Sequence, residues 1–344
     1  MCRLILIALV GCSFQGNGQV PDAGTIDELD ALDASELPSD ASLSNCAGIA
    51  ATCGPSGDDD CCSSAEAISG GTFYRSYDVA ADGMHTDMSH PAMVSSFVLD
   101  KYEVTVGRFR KFVVAGMGTQ ATAPASGSGA RRLNGMAAQG GWDSSWDGSL
   151  SASTTTLKAA VKCNANAQSW TDLPGANEAL PMNCITWFEA NAFCIADGGF
   201  LPTDTEWSYV AAGGNEQRAY PWSSPPGTLA IDCSYTNYNN GTAYCVNPPN
   251  GATRDVGSES PNGDGRWGHA DLGGNVWEWT LDSFQSAYPT PCTDCASLAS
   301  STQRQFRGGS FLSPASDLRT AIRYEYAPAL RGPNVGVRCA RALP

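Results

Sequence analysis

Apolar residues in this chain fall in short runs broken by Gly, Ser, Pro and Asp, and no long helical or strand period is sustained. Gly70-Gly71-Thr72-Phe73-Tyr74 predicts a turn entering a strand, and Phe97-Val98-Leu99-Asp100 predicts a second. Thr105 stands before a stretch with Phe109, Phe112 and Val113 on one face, the pattern of a capped amphipathic helix. Two Thr-x-x-Glu boxes, Thr186 with Glu189 and Thr203 with Glu206, open two more helices. Trp187, Ala190 and Cys194 form the inward face of the first, and Trp207, Val210 and Ala211 that of the second. Capping is the first reading of both glutamates, ahead of acid–base chemistry. Residues 116–180 are poor in regular signals and read as a long structured insertion carrying Trp142, Trp146 and Trp170, with residues 157–162 helical.

The first seventy residues have another character. Arg3 precedes an apolar stretch at 4–10, and Leu9-Val10-Gly11-Cys12 resembles a bacterial lipobox, whose cysteine is acylated. Residues 1–12 are therefore read as a lipoprotein-type signal peptide with Cys12 as the lipidation site. Residues 13–45 are acidic, rich in Ala, Ser, Gly and Pro, and read as a disordered tether that cannot bury enough apolar area to offset its ordering entropy. Cys46, Cys53, Cys61 and Cys62 crowd residues 46–67, read as a disulfide-stapled cap before a globular domain at 68–344.

Composition narrows the function. A net charge of −15 disfavours nucleic acid and anionic membrane surfaces as partners. No apolar run reaches the length of a bilayer span, so a membrane is reached only through a lipid anchor. Fourteen dispersed cysteines read as a disulfide framework in an oxidising compartment. With Cys2 removed and Cys12 acylated, the twelve that remain suit complete pairing, and Cys233 with Cys245 is a reasonable local pair. Cys292-Thr-Asp-Cys295 is a Cys-x-x-Cys; a structural disulfide is favoured over redox or zinc chemistry because no second such motif accompanies it. Only three histidines are present, and no phosphate loop or Gly-x-Ser-x-Gly elbow appears.

Seven motifs in register resemble the sulfatase-modifying-factor, or formylglycine-generating-enzyme, family. They are residues 97–112, residues 181–194, Leu201-Pro-Thr-Asp-Thr-Glu-Trp207, Tyr220-Pro-Trp222, Gly274-Asn-Val-Trp-Glu-Trp279, Arg307-Gly-Gly-Ser310 and Gly336-Val-Arg-Cys339. The resemblance implies an irregular α/β (α+β) domain of C-type-lectin-like topology with few regular elements. It also implies a disulfide between Cys194 and Cys339. Trp277, Ser310, Arg323 and Asn334 match positions that line the substrate cleft in relatives. Asp271, Gly274, Val276 and Glu278 match a calcium loop, with side-chain oxygens from the acids and carbonyls from the other two; a buried ion pair at Glu278 is the alternative. A second calcium site begins at best at Asn237 and Tyr238. Oxidases of the family hold copper with two cysteines between the Arg-Gly-Gly-Ser and Arg-Cys motifs. Here residues 311–323 contain none, and Ser313 and Asp317 do not replace the soft thiolates that select Cu(I).

These readings combine into an exported cell-envelope lipoprotein, an outer-membrane one on the strength of Ser13 after Cys12. Its domain is expected to be a non-oxidase binding or accessory module for a peptide or glycan, with structural calcium and without copper. The alternative is a divergent oxidoreductase of the same family modifying an exported protein or peptide.

Overall fold

The computed structural model describes residues 46, 48–133, 138–247 and 249–343, within the larger of two units into which the chain divides, Leu37–Pro344. The signal segment with Cys12 and the tether at 13–45 lie outside the described residues. In chain order the elements are β1 (Gly71–Tyr74), β2 (Pro91–Val94), β3 (Phe97–Leu99), α1 (Val106–Val114), β4 (Arg131–Arg132), β5 (Ala138–Gln139), α2 (Thr154–Ala160), α3 (Trp187–Ala196) and α4 (Asp204–Ala211). There follow β6 (Trp277–Ser283), β7 (Arg304–Arg307), β8 (Tyr324–Tyr326), β9 (Val335–Gly336) and β10 (Ala340–Ala342).

The helices start where their caps stand. Thr105 Oγ1 accepts from Arg108 N at 3.3 Å at the head of α1. Both Thr-x-x-Glu boxes close in both directions. Glu189 N donates to Thr186 Oγ1 at 3.2 Å and Thr186 N to Glu189 Oε2 at 3.0 Å. The corresponding distances for Thr203 and Glu206 are 3.0 and 2.8 Å. Each glutamate also takes an arginine: Arg331 Nη1 reaches Glu189 at 2.6 Å and Arg131 Nη1 reaches Glu206 at 2.6 Å. The α2 helix begins three residues ahead of the expected 157, because Ser153 caps it and Thr156 completes the box.

The sheets are small. β1 pairs antiparallel with β2, and β3 with β10, which brings the chain end back beside its first motif. The largest sheet has four strands in the order β8-β7-β6-β9, with β6 and β9 parallel. Every residue of β6 is buried. Around it packs one core of α1 and α3 aromatics, with Phe109 stacked on Phe193 at 5.8 Å, while α4 contributes Trp207, Tyr209 and Val210 to a second.

At the seam between α1, the end of α3 and β10 sits a buried charge network. Arg108 donates to Asp100 at 2.9 Å and to Asp197 at 2.6 Å, and Arg341 bonds the same two carboxylates. Two cations face two anions, so the charge is balanced where water is absent. Burial alone would raise the Asp100 pKa; Arg108 and Arg341 outweigh it and hold it below the usual carboxylate range.

All twelve described cysteines are paired: Cys46–Cys62, Cys53–Cys61, Cys163–Cys184, Cys194–Cys339, Cys233–Cys245 and Cys292–Cys295. The stapled cap does not stand apart from the domain. Asp59 accepts from Lys101 Nζ at 3.0 Å and from Tyr102 Oη at 2.5 Å, and Gly54 N donates to Val256 O at 3.0 Å.

Candidate functional site

The cleft residues lie at the edge of the four-stranded sheet. Trp277 opens β6, and its ring meets Phe306 of β7 edge-on at 4.7 Å and Tyr324 of β8 at 5.3 Å. Its backbone N–H donates to Asn334 O at 2.8 Å. Asn334 Nδ2 donates to Ser310 Oγ at 3.3 Å, and Ser310 Oγ is 3.3 Å from Ser313 Oγ. Two glycines make this crowding possible. Gly308 has φ +97°, and Gly309, at φ +78°, would place a Cβ 2.6 Å from Leu318 Cδ1. Trp277, Ser310 and Asn334 are thus brought together.

Arg323 is aimed elsewhere. Its guanidinium lies 3.8 Å over the Tyr288 ring and donates to Ser286 O at 2.9 Å. Neither Glu325 nor Asp317, the acids nearest to it in sequence, is within ion-pair distance of it among the described residues.

The residues read as a calcium loop divide into two environments. Glu278 is engaged on both oxygens: Arg338 Nε lies 2.9 and 2.8 Å from Oε1 and Oε2, Arg338 Nη2 lies 2.7 Å from Oε1, and Trp207 Nε1 donates to Oε2 at 2.7 Å. The ion pair is what these residues form, so Glu278 is not an open ligand for a cation. Strand alternation explains it: Trp277 and Trp279 share one face of β6, and Glu278 points to the other, beneath α4. Asp271 is buried, has φ 57° and accepts from Gly257 N at 2.6 Å. Burial, then the nearby Glu259, push its carboxyl up to about 7. Glu103 accepts from Asn275 Nδ2 at 2.7 Å and from Val276 N at 3.1 Å. Burial, Asp271 and Glu278 raise it well above the carboxylate range.

Gly274 approaches its neighbours so closely that a Cβ would sit 2.0 Å from Thr236 Oγ1, and the adjoining Asn237 Oδ1 is buried without a hydrogen-bond partner among the described residues. The region therefore carries buried carboxylates in excess of Arg338 and one orphaned amide oxygen, donors of the kind a hard cation takes. It does not fit one at Glu278. A copper centre fits less well still. No cysteine occurs between Ser310 and Cys339, and every described thiol is oxidised, leaving the hydroxyls of Ser310 and Ser313 in place of soft ligands.

Glu103, Asn275 and Arg338 are neighbours of this loop that sequence reasoning missed. Arg338 carried the one available signal, a cation placed between the buried Val337 and Cys339 of the terminal motif.

The family model described as the sulfatase-modifying factor enzyme 1-like domain matches residues 59–343, starting inside the cap. The chain belongs to this family. It is 28% identical over 312 residues to the formylglycine-generating enzyme of Thermomonospora curvata, covering 80% of this chain and 92% of that protein. A Bos taurus protein named inactive C-alpha-formylglycine-generating enzyme 2 is 29% identical over 178 residues, covering 48% of this chain and 52% of its own length. The chain spans about half the length of this and several other curated relatives. Among solved structures, PvdO from Pseudomonas aeruginosa superposes with a TM-score of 0.54 at 18% identity over 80% of this chain and 93% of that one. The fold is thus the irregular, mixed α/β, C-type-lectin-like fold that the motifs imply. Six disulfides mark it as a domain of an oxidising, exported environment.

Proposed function

We propose that this protein is an exported cell-envelope lipoprotein, acylated at Cys12, whose domain binds a peptide or glycan without copper-dependent oxidation. What supports this reading is that three residues matched to the family's cleft, Trp277, Ser310 and Asn334, lie bonded together, while the interval from Ser310 to Cys339 holds no cysteine. The family also includes a relative named as inactive, so loss of the oxidation has a precedent within the fold. The Trp277 ring and the half-buried Asn334 are the groups this cleft would offer a peptide or sugar, while the fully buried Ser310 hydroxyl holds the Asn334 amide in place.

The test is aerobic incubation of the purified chain with Cu(I) and a cysteine-containing sulfatase-type peptide, with an active family enzyme as control and mass spectrometry as readout. The expected product is unchanged peptide. An aldehyde at the peptide cysteine would overturn the reading in favour of a divergent oxidoreductase. The anchor is checked on the full chain: a Cys12→Ala variant should leave the detergent phase for the aqueous one.

Calcium belongs to the same proposal, held near Asp271 by its carboxylate and by the carbonyls of Gly274 and Val276, with Asn237 Oδ1 as a further oxygen. Because such an ion binds only the folded state, chelation should lower the thermal midpoint and added calcium should restore it. An unfolding midpoint indifferent to chelator would remove calcium from the account.

A further inference from the structure

The Cys292–Cys295 bridge differs from the other five in what surrounds it. It closes the shortest loop, with a separation of 3 residues, so as a staple it contributes least. Its loop is already fixed by backbone bonds to β2, with Met93 N donating to Cys292 O and Asp294 N to Met93 O, both at 2.9 Å. Arg75, only 1% exposed, sends Nη1 to within 3.5 Å of Cys295 Sγ. The remaining contacts of this guanidinium are the carbonyls of His90, Pro91 and Pro289 and the Tyr288 ring.

Among the described residues no carboxylate lies within ion-pair distance of Arg75. Asp204 is near but bonded to Arg307 at 2.5 Å. Asp282 accepts two backbone N–H groups, and burial, then Asp204, push its carboxyl up to about 7, which makes it a weak counter-charge. A buried guanidinium without a paired anion is costly. Thr205 Oγ1 adds a second polar group, 3.4 Å from Cys295 Sγ at the start of α4. Cys295 is fully buried, whereas Cys292 keeps 7% exposure beside the exposed Thr293.

We propose that Cys292–Cys295 is an exchange-active disulfide that accepts two electrons from an external dithiol, with Arg75 as the counter-charge for the Cys295 thiolate. The external thiolate attacks the Sγ of Cys292, the more exposed residue of the pair, forming a mixed disulfide as the Cys292–Cys295 bond breaks. The electron pair leaves on Cys295 Sγ, beside Arg75 and Thr205. The second thiol of the reductant loses its proton and attacks its own sulfur in the mixed disulfide. Cys292 departs and is protonated. The external dithiol ends as a disulfide and the protein pair is reduced by two electrons. An attack in this direction is favoured because a stabilised thiolate is the better leaving group.

The experiment equilibrates the full chain in graded dithiothreitol buffers, quenches with acid, alkylates and identifies labelled cysteines by peptide mass spectrometry, with circular dichroism as a check on folding. Cys292 and Cys295 should be labelled while the other five bridges stay intact and the fold persists. Arg75→Gln should slow this step on the order of tenfold, and Thr205→Val should slow it less. Reduction of the pair only alongside the other bridges, or an Arg75→Gln rate equal to wild type, would overturn the assignment. If Arg75→Gln does not fold, Cys292→Ser supplies the answer, since it leaves Cys295 as a free thiol. Its thiolate absorbance should titrate well below the ordinary value of about 8.5, and a value at or above that would equally refute the proposal.

Discussion

Replacing Arg338 with Met should destabilise the domain by on the order of 3–5 kcal/mol, because it leaves a buried carboxylate without its cation. Arg338 and Glu278 are both fully buried, and the guanidinium holds both carboxylate oxygens. The same side chain donates to the carbonyls of Asp100, Lys101 and Ala270 at 3.2, 2.9 and 2.8 Å, so its loss strands three more acceptors. Glu103, whose carboxyl is pushed upward by burial, Asp271 and Glu278, brings no cation to replace Arg338. Urea unfolding of the single and double variants separates the causes. Arg338→Met with Glu278→Met should recover much of the loss, since an apolar pair of similar volume replaces an ion pair with little cost. A Lys at 338 should fall between, because an ammonium does not reproduce the forked contact. A single variant losing less than about 1 kcal/mol, the worth of an exposed pair, would show that Glu278 is not desolvated as described.

That ion pair also marks the boundary of what is legible in the sequence. Helix starts are written locally: Thr105, Thr186 and Thr203 cap where expected, since each cap bond spans three residues. Strands depend on partners far along the chain. β2 escaped notice because Pro91 opens it and only Ala92 and Val94 face inward, and β9 is two residues long. The site shows the same division. Motif resemblance placed Trp277, Ser310 and Asn334 together, while Arg323, matched to the same cleft, turns toward Tyr288 instead. Glu278 was read as a calcium ligand from its motif, although alternation along β6 already separates it from the faces of Trp277 and Trp279. Arg75 gave no signal, as nothing in its own neighbourhood announces a sulfur 220 residues away.

Removing the Cys194–Cys339 bridge, by Ala at both positions, should have the largest effect of any single cross-link. It spans 145 residues, and the chain-entropy model assigns such a loop roughly 5 kcal/mol. The bridge joins α3 to the residue before β10, so it ties the C-terminal strand to the helix against which the first core packs. The neighbouring network of Asp100, Arg108, Asp197 and Arg341 should survive in the folded variant, because its bonds do not pass through either sulfur. The loss should therefore appear as a lower unfolding free energy without a change in fold, read by denaturant melts beside circular dichroism. Removing Cys233–Cys245 provides the control: its separation of 12 residues predicts about 3 kcal/mol in the same model. A clear difference between the two variants supports restriction of the unfolded chain as the source of stability. Equal losses would place the effect in the folded state instead, in the fully buried sulfurs of Cys194 and Cys339 and the packing that they share with Val337 and Phe193.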